Sequence, residues 1–184
     1  MLASSRRRCA VVALTLALAL VGGVIGATWG LHGILTEHVV PEPRENPDDL
    51  AFLVSVFVAN IGAVALAASG VLTLGVGTLI MAPLVAAYLG VLLGAGQEWL
   101  SPEAFLYGLA IHGLGEALAV ALGVAIGLYP LLRMLPGLKD SSISVGFAVR
   151  YLRAVAETSP YLGCTVLILF IAALWETFVS SALV

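Results

Sequence analysis

Four side chains set inside long apolar stretches carry most of the chemistry this 184-residue chain can offer: Asn60, His112, Glu116 and Glu176. They supply an amide, an imidazole and two carboxyls, the groups from which proton relays, ion sites and interhelical clasps are built. His112 and Glu116 stand four residues apart, so on a helix they stack on one face. Counted along their own stretches at ~1.5 Å per helical residue, all four lie roughly 12–20 Å below one surface of the layer their stretches would cross. A shared depth makes a buried polar cluster geometrically possible. Ionisable groups in hydrocarbon cost a few kcal/mol each on insertion scales, so they normally turn towards protein or a cavity. Two readings are open: a network that ties helices together, or a route for protons or ions.

Catalysis lacks its supporting parts. There is no H-E-x-x-H, no serine nucleophile beside a base, no P-loop, and no dinucleotide-binding glycine pattern between a strand and a helix. A catalytic zinc would need three protein ligands at one depth, but His32 and His38 fall in a polar break and His112 is the only histidine inside an apolar stretch. No catalytic residue, metal or cofactor is therefore expected, and the chain reads as non-enzymatic.

The elements that must position these groups are apolar runs at about 9–31, 50–70, 74–95, 103–129 and 160–183. Each can cross ~30 Å of hydrocarbon as a helix. Mean hydropathy is +1.10, and charged residues make up 10%, against ~25% in ordinary soluble domains. The expected fold is all-α: a polytopic transmembrane bundle of five spans in one domain, with one interfacial helix. Seven of the eight Lys/Arg residues, Arg44 being the exception, lie before the first run or between the fourth and fifth. Positive residues favour the cytoplasmic side, which predicts a plasma-membrane protein with its N-terminus inside and its C-terminus outside. Trp29, Trp99 and Trp175 would then anchor the outer interface, and Tyr129 and Tyr161 the inner one. The first run exceeds a signal-peptide core of ~7–15 residues, so it is expected to stay as a span; cleavage near Ala27 would leave four. Cys9 and Cys164 read as small packing residues.

Ser101-Pro102-Glu103 and Ser159-Pro160 look like helix starts, with serine as cap and proline in the first turn. Pro83 should kink the third span. Small residues mark close helix contacts in membranes. On the fourth span Ala119, Gly123 and Gly127 continue the His112–Glu116 face, and Gly22, Gly26 and Gly30 form a matching stripe on the first. From 139 to 157 one helical arc collects Lys139, Arg150, Arg153 and Glu157, while Phe147, Tyr151, Leu152 and Val155 fall elsewhere. That pattern suits a basic amphipathic helix, with Lys139, Arg150 and Arg153 at anionic lipid headgroups. Packing of this helix on its own bundle fits equally well. No basic surface beyond this break exists for nucleic acid.

The run Phe57-Val-Ala-Asn60, the pair Gly70 and Gly75, and the element Ile111-His112-Gly113-Leu114-Gly115-Glu116 resemble the stage II sporulation protein M family. The final Ala172-Ala173-Leu174-Trp175-Glu176-Thr177-Phe178 is similar to that family's last span. Leu118 stands where the family often has proline, and Val85-Ala86-Ala87-Tyr88 where its third span often carries Asn-Gly. The resemblance covers roughly Leu50 to Leu183; the first span matches only in being apolar. It implies a multi-span scaffold that assembles with other membrane proteins or with itself, as the family's member in endospore formers is similar to a holder of peptidoglycan-cleaving partners. The rival expectation is a transporter or channel lined by Asn60, His112, Glu116 and Glu176.

Overall fold

A backbone surrounded by lipid must satisfy its own N–H and C=O groups, and apolar runs of this length do so by forming helices. The computed structural model describes residues 2–31, 49–135 and 146–180, with backbone alone for 2–5, and every regular element among them is helical. These are α1 (Leu2–Trp29), α2 (Asp49–Ala67), a 3-10 turn (Ser69–Val71), α3 (Val76–Trp99), a π-helical segment (Ala104–Ala110) running straight into α4 (Ile111–Met134), α5 (Phe147–Ala156) and α6 (Ser159–Phe178). Five helical stretches are long and apolar enough to cross a membrane. The described helices thus follow the five expected spans to within a few residues at most ends. Of the expected 139–157 helix, Phe147–Ala156 is seen; Lys139 lies outside the described residues.

α4 is the hub, packing against α1, α2, α3, α5 and α6. Its buried residues include the small ridge Ala119, Gly123 and Gly127, all facing inward. A β-carbon at Gly123 would sit 3.0 Å from Val64 Cγ1 and 3.1 Å from the Val64 carbonyl, so the missing side chain is what lets α2 approach. Gly127 is tighter still, because a β-carbon there would overlap the Thr78 hydroxyl. Lipid tails are as apolar as leucine, so such contacts hold helices together by van der Waals packing rather than by escape from water.

The α2–α3 hairpin closes through one buried hydroxyl. Thr78 Oγ1 donates to the Ala67 carbonyl (2.7 Å) and accepts from Gly70 N–H (3.0 Å). Gly75, at φ 92°, makes the reversal in a region that disfavours other residues. Ser101 Oγ caps the π segment by accepting from Ala104 N–H (3.2 Å). At the other proline site the flanking residue is Thr158 rather than Ser159, and its hydroxyl turns back to the Val155 carbonyl.

The α1 stripe of Gly22, Gly26 and Gly30 does not meet the ridge of α4. The helix packs instead through Ala13, Ala17 and Val21, which are buried. Farther along it approaches Gly90 of α3, where a β-carbon would come within 2.6 Å of the Ile25 carbonyl. Trp29 closes this end, donating from Nε1 to Gln97 Oε1 (2.7 Å) and meeting Phe105 edge-on. Tyr129 departs from expectation: at 4% exposure it is a core residue, not an interface anchor. Cys9 is half-buried and Cys164 exposed, so Cys164 is not a packing residue within the chain.

Candidate functional site

The four polar residues reach one another from three helices. Asn60 comes from the middle of α2, His112 and Glu116 from the first turns of α4, and Glu176 from the last turns of α6. Asn60 Nδ2 donates to Glu116 Oε1 at 2.5 Å. One ligand atom each from His112, Glu116 and Glu176 falls within 4.8 Å of the other two. His112 is buried, and the other three are half-buried. All four line a cavity of about 270 Å³ whose remaining walls are apolar or small, Tyr88 apart.

Backbone features explain the convergence. In the π segment the Ile111 N–H reaches back five residues to the Leu106 carbonyl. Such wider turns insert a residue and rotate the helix beyond them, and they are frequent at functional sites. The glycines flanking the polar pair remove side chains where neighbours come close. A β-carbon on Gly113 would lie 3.2 Å from Leu93, and one on Gly115 3.4 Å from Ala172. The Tyr107 carbonyl, in the π segment, accepts from Trp175 Nε1 (2.8 Å), which fixes the end of α6 one residue from Glu176. Phe57 and Phe170 meet edge-on, centroids 5.8 Å apart, and join α2 to α6. The imidazole is held in turn: Ser180 Oγ lies 3.2 Å from His112 Nδ1, and the ring also hydrogen-bonds the Gly108 backbone.

Ser180 shares a helical face with Glu176, yet its role in orienting the histidine could not be read from spacing alone. In the sequence a metal-ligand reading fails for want of a second histidine in an apolar stretch. Folding supplies the third group as a carboxylate from a helix 60 residues farther along the chain.

At the opposite end, Glu157 is a second polar centre. Its carboxylate accepts from the Tyr129 hydroxyl (2.6 Å), and it pairs with Arg6 Nε (3.0 Å) and Arg133 Nε (3.6 Å). It stands beside a cavity of about 600 Å³ between α1, α4 and α6. Of the residues expected at headgroups, Arg153 is exposed and Arg150 half-buried. α5 is also fastened to the bundle, through Ala154, which is buried, and through the Tyr151 hydroxyl, which donates to the Val71 carbonyl (2.7 Å). Exposed on the outside of the bundle are large apolar residues such as Leu16, Val58, Leu84 and Phe170, the surface that hydrocarbon contacts.

A bundle with five membrane-length apolar stretches and an inward polar cluster defines an integral membrane protein. The chain belongs to the stage II sporulation protein M family, whose model matches residues 11–181. That match begins inside α1, so the first span is part of the family's unit, beyond the Leu50–Leu183 stretch that carries the motif resemblance. Comparison with curated proteins and with solved structures gives no significant match.

Proposed function

We propose that this chain is a non-enzymatic assembly component of the plasma membrane, docking other membrane proteins or a second copy of itself through the glycine stripe of α1. The observation that carries the reading is that Gly22 and Gly26 are exposed, with no atom within 4 Å of where a β-carbon would stand. The corresponding stripe on α4, by contrast, is taken up inside the chain. Glycine is a poor helix former, costing ~1 kcal/mol relative to alanine, and backbone approach by a neighbouring helix compensates for that cost. The basic end of the bundle is assigned to the cytoplasm, with α5 at its surface and Arg150 and Arg153 towards anionic headgroups.

The test is replacement of Gly22 and Gly26 together by isoleucine. Bulk inserted into a packed interface costs about 1–3 kcal/mol, so association should fall roughly tenfold or more. Self-crosslinking in native membranes and partner recovery after solubilisation measure it. Thermal unfolding of the solubilised variant should be unchanged, since the site is open within the chain. Recovery equal to wild type would remove α1 as the docking face.

The cavity favours a second reading, passage of protons or ions past Asn60, His112, Glu116 and Glu176. Under it, proteoliposomes should show flux that Glu116→Gln reduces to the level of empty vesicles. Flux that survives the substitution, or none in wild type, counts against it.

A further inference from the structure

We propose that His112, Glu116 and Glu176 bind one divalent first-row transition cation of the Zn²⁺ or Mn²⁺ kind, with Asn60 and Ser180 orienting the ligands. This goes beyond the assembly reading and stands whether or not anything crosses the membrane.

The donor set is one imidazole and two carboxyls, a mixture that suits a transition cation better than an all-oxygen alkaline-earth site. The three ligand atoms lie within 4.8 Å of one another. Ligands held ~2.1 Å from a tetrahedral ion are ~3.4 Å apart. Closing that gap takes about 1.4 Å or less of side-chain rotation, well within the reach of two glutamates and without moving a helix.

The surroundings are those of a metal centre rather than of a helix clasp. A clasp needs only pairwise hydrogen bonds, as between Asn60 and Glu116. Here three groups bring their ligand atoms within 4.8 Å of one another along a cavity with room for an ion and the waters that complete its shell. Ligating histidines are usually fixed through their second nitrogen. Ser180 at 3.2 Å from Nδ1 supplies that restraint, and the proposed site takes Nε2 as the ligand. Asn60 does the same for one glutamate, donating to Oε1 and leaving Oε2 to ligate. Charge agrees too: two carboxylates a few ångströms apart inside an apolar wall repel, and a dication neutralises both. The ion would join α4 to α6 directly, and α2 through Asn60.

The experiment uses the full chain, solubilised, stripped with chelator and titrated with Zn²⁺, then separately with Mn²⁺, Mg²⁺ and Ca²⁺. Bound metal is counted by elemental analysis and affinity read by calorimetry. The expected result is one Zn²⁺ or Mn²⁺ per chain and a rise in melting temperature on loading. Glu176→Gln should weaken binding 10–100-fold or more. It leaves the Asn60–Glu116 bond in place, so it reads the same quantity if Glu116→Gln or His112→Ala fails to fold. Ser180→Ala should weaken binding by less. The proposal is overturned if wild type takes up no stoichiometric cation, or if Glu176→Gln binds as tightly as wild type. It is overturned equally if Mg²⁺ or Ca²⁺ binds in preference to Zn²⁺ and Mn²⁺.

Discussion

Gly127→Ala is expected to destabilise the solubilised bundle by about 3 kcal/mol, the upper part of the range for overpacking a core. Denaturant-induced unfolding in mild detergent should show it. The added β-carbon would overlap the Thr78 hydroxyl and lie 3.3 Å from the Ala67 carbonyl. Neither neighbour can step aside. Thr78 Oγ1 is committed on both sides, to the Ala67 carbonyl and the Gly70 N–H. The Ala67 carbonyl belongs to the last turn of α2, and the Gly70 N–H to the hairpin. Relief would therefore move a whole helix end or break a buried hydrogen bond, each costing about as much as the clash. Thr78→Ala removes the obstructing hydroxyl, so the double variant should be less destabilised than the sum of the two singles, the coupling expected of groups in contact. Gly26→Ala is the control. It adds the same methyl group to an open position, and the better helix propensity of alanine should leave stability equal to wild type or slightly raised. Equal losses at Gly127 and Gly26 would contradict this account of the packing.

The contrast between these glycines marks how far a sequence can be read here. Span number, span limits and the inward ridge of α4 come from hydropathy and from the i, i+4 spacing of His112, Glu116, Ala119, Gly123 and Gly127. Those are properties of one helix at a time. Which ridge meets which is a property of helix pairs, and small-residue stripes look alike whether they are covered by the chain or left open. Spacing thus marks Gly22, Gly26 and Gly30 and the α4 ridge alike, although only the latter is covered within the chain. In the fold α1 and α3 close at Gly90, one of the small residues Ala82, Ala86, Gly90 and Gly94 that recur every fourth position on α3 and are all buried, a stripe as readable as the one on α1. The polar cluster is legible at the level of depth, because equal distance from the helix ends can be counted. Its geometry is not. The π segment rotates His112 by an amount no residue pattern announces, and Ser180 acts through a ring nitrogen from another helix. Tyr129 misleads for a related reason: a tyrosine near a span end suits the interface, unless a carboxylate from another element waits for its hydroxyl.

That carboxylate gives the other large effect. Glu157→Ala is expected to cost about 2–4 kcal/mol, with Glu157→Gln losing about half as much, again by unfolding in detergent. Arg6 contributes least, since its side chain is 50% exposed and screened pairs give ~0–1 kcal/mol. Most of the loss comes from Tyr129. Its hydroxyl donates to an ion-paired acceptor in a half-buried site, a bond of the kind valued at about 1.5–3 kcal/mol, and alanine would leave it without that acceptor beside the cavity. Glutamine keeps an oxygen for the tyrosine but gives up the pairing with Arg133, whose side chain is 20% exposed. Tyr129→Phe should therefore cost less in the Glu157→Ala background than alone. The location predicts a second readout. Glu157 occupies the turn between α5 and α6 and ties it to the start of α1 and the last turn of α4, while Tyr151 and Ala154 hold the remainder of α5. With the turn released, amide exchange in α5 should quicken before that of α4 or α6. Uniform quickening across all the helices would mean that Glu157 serves the bundle as a whole, not the seating of α5.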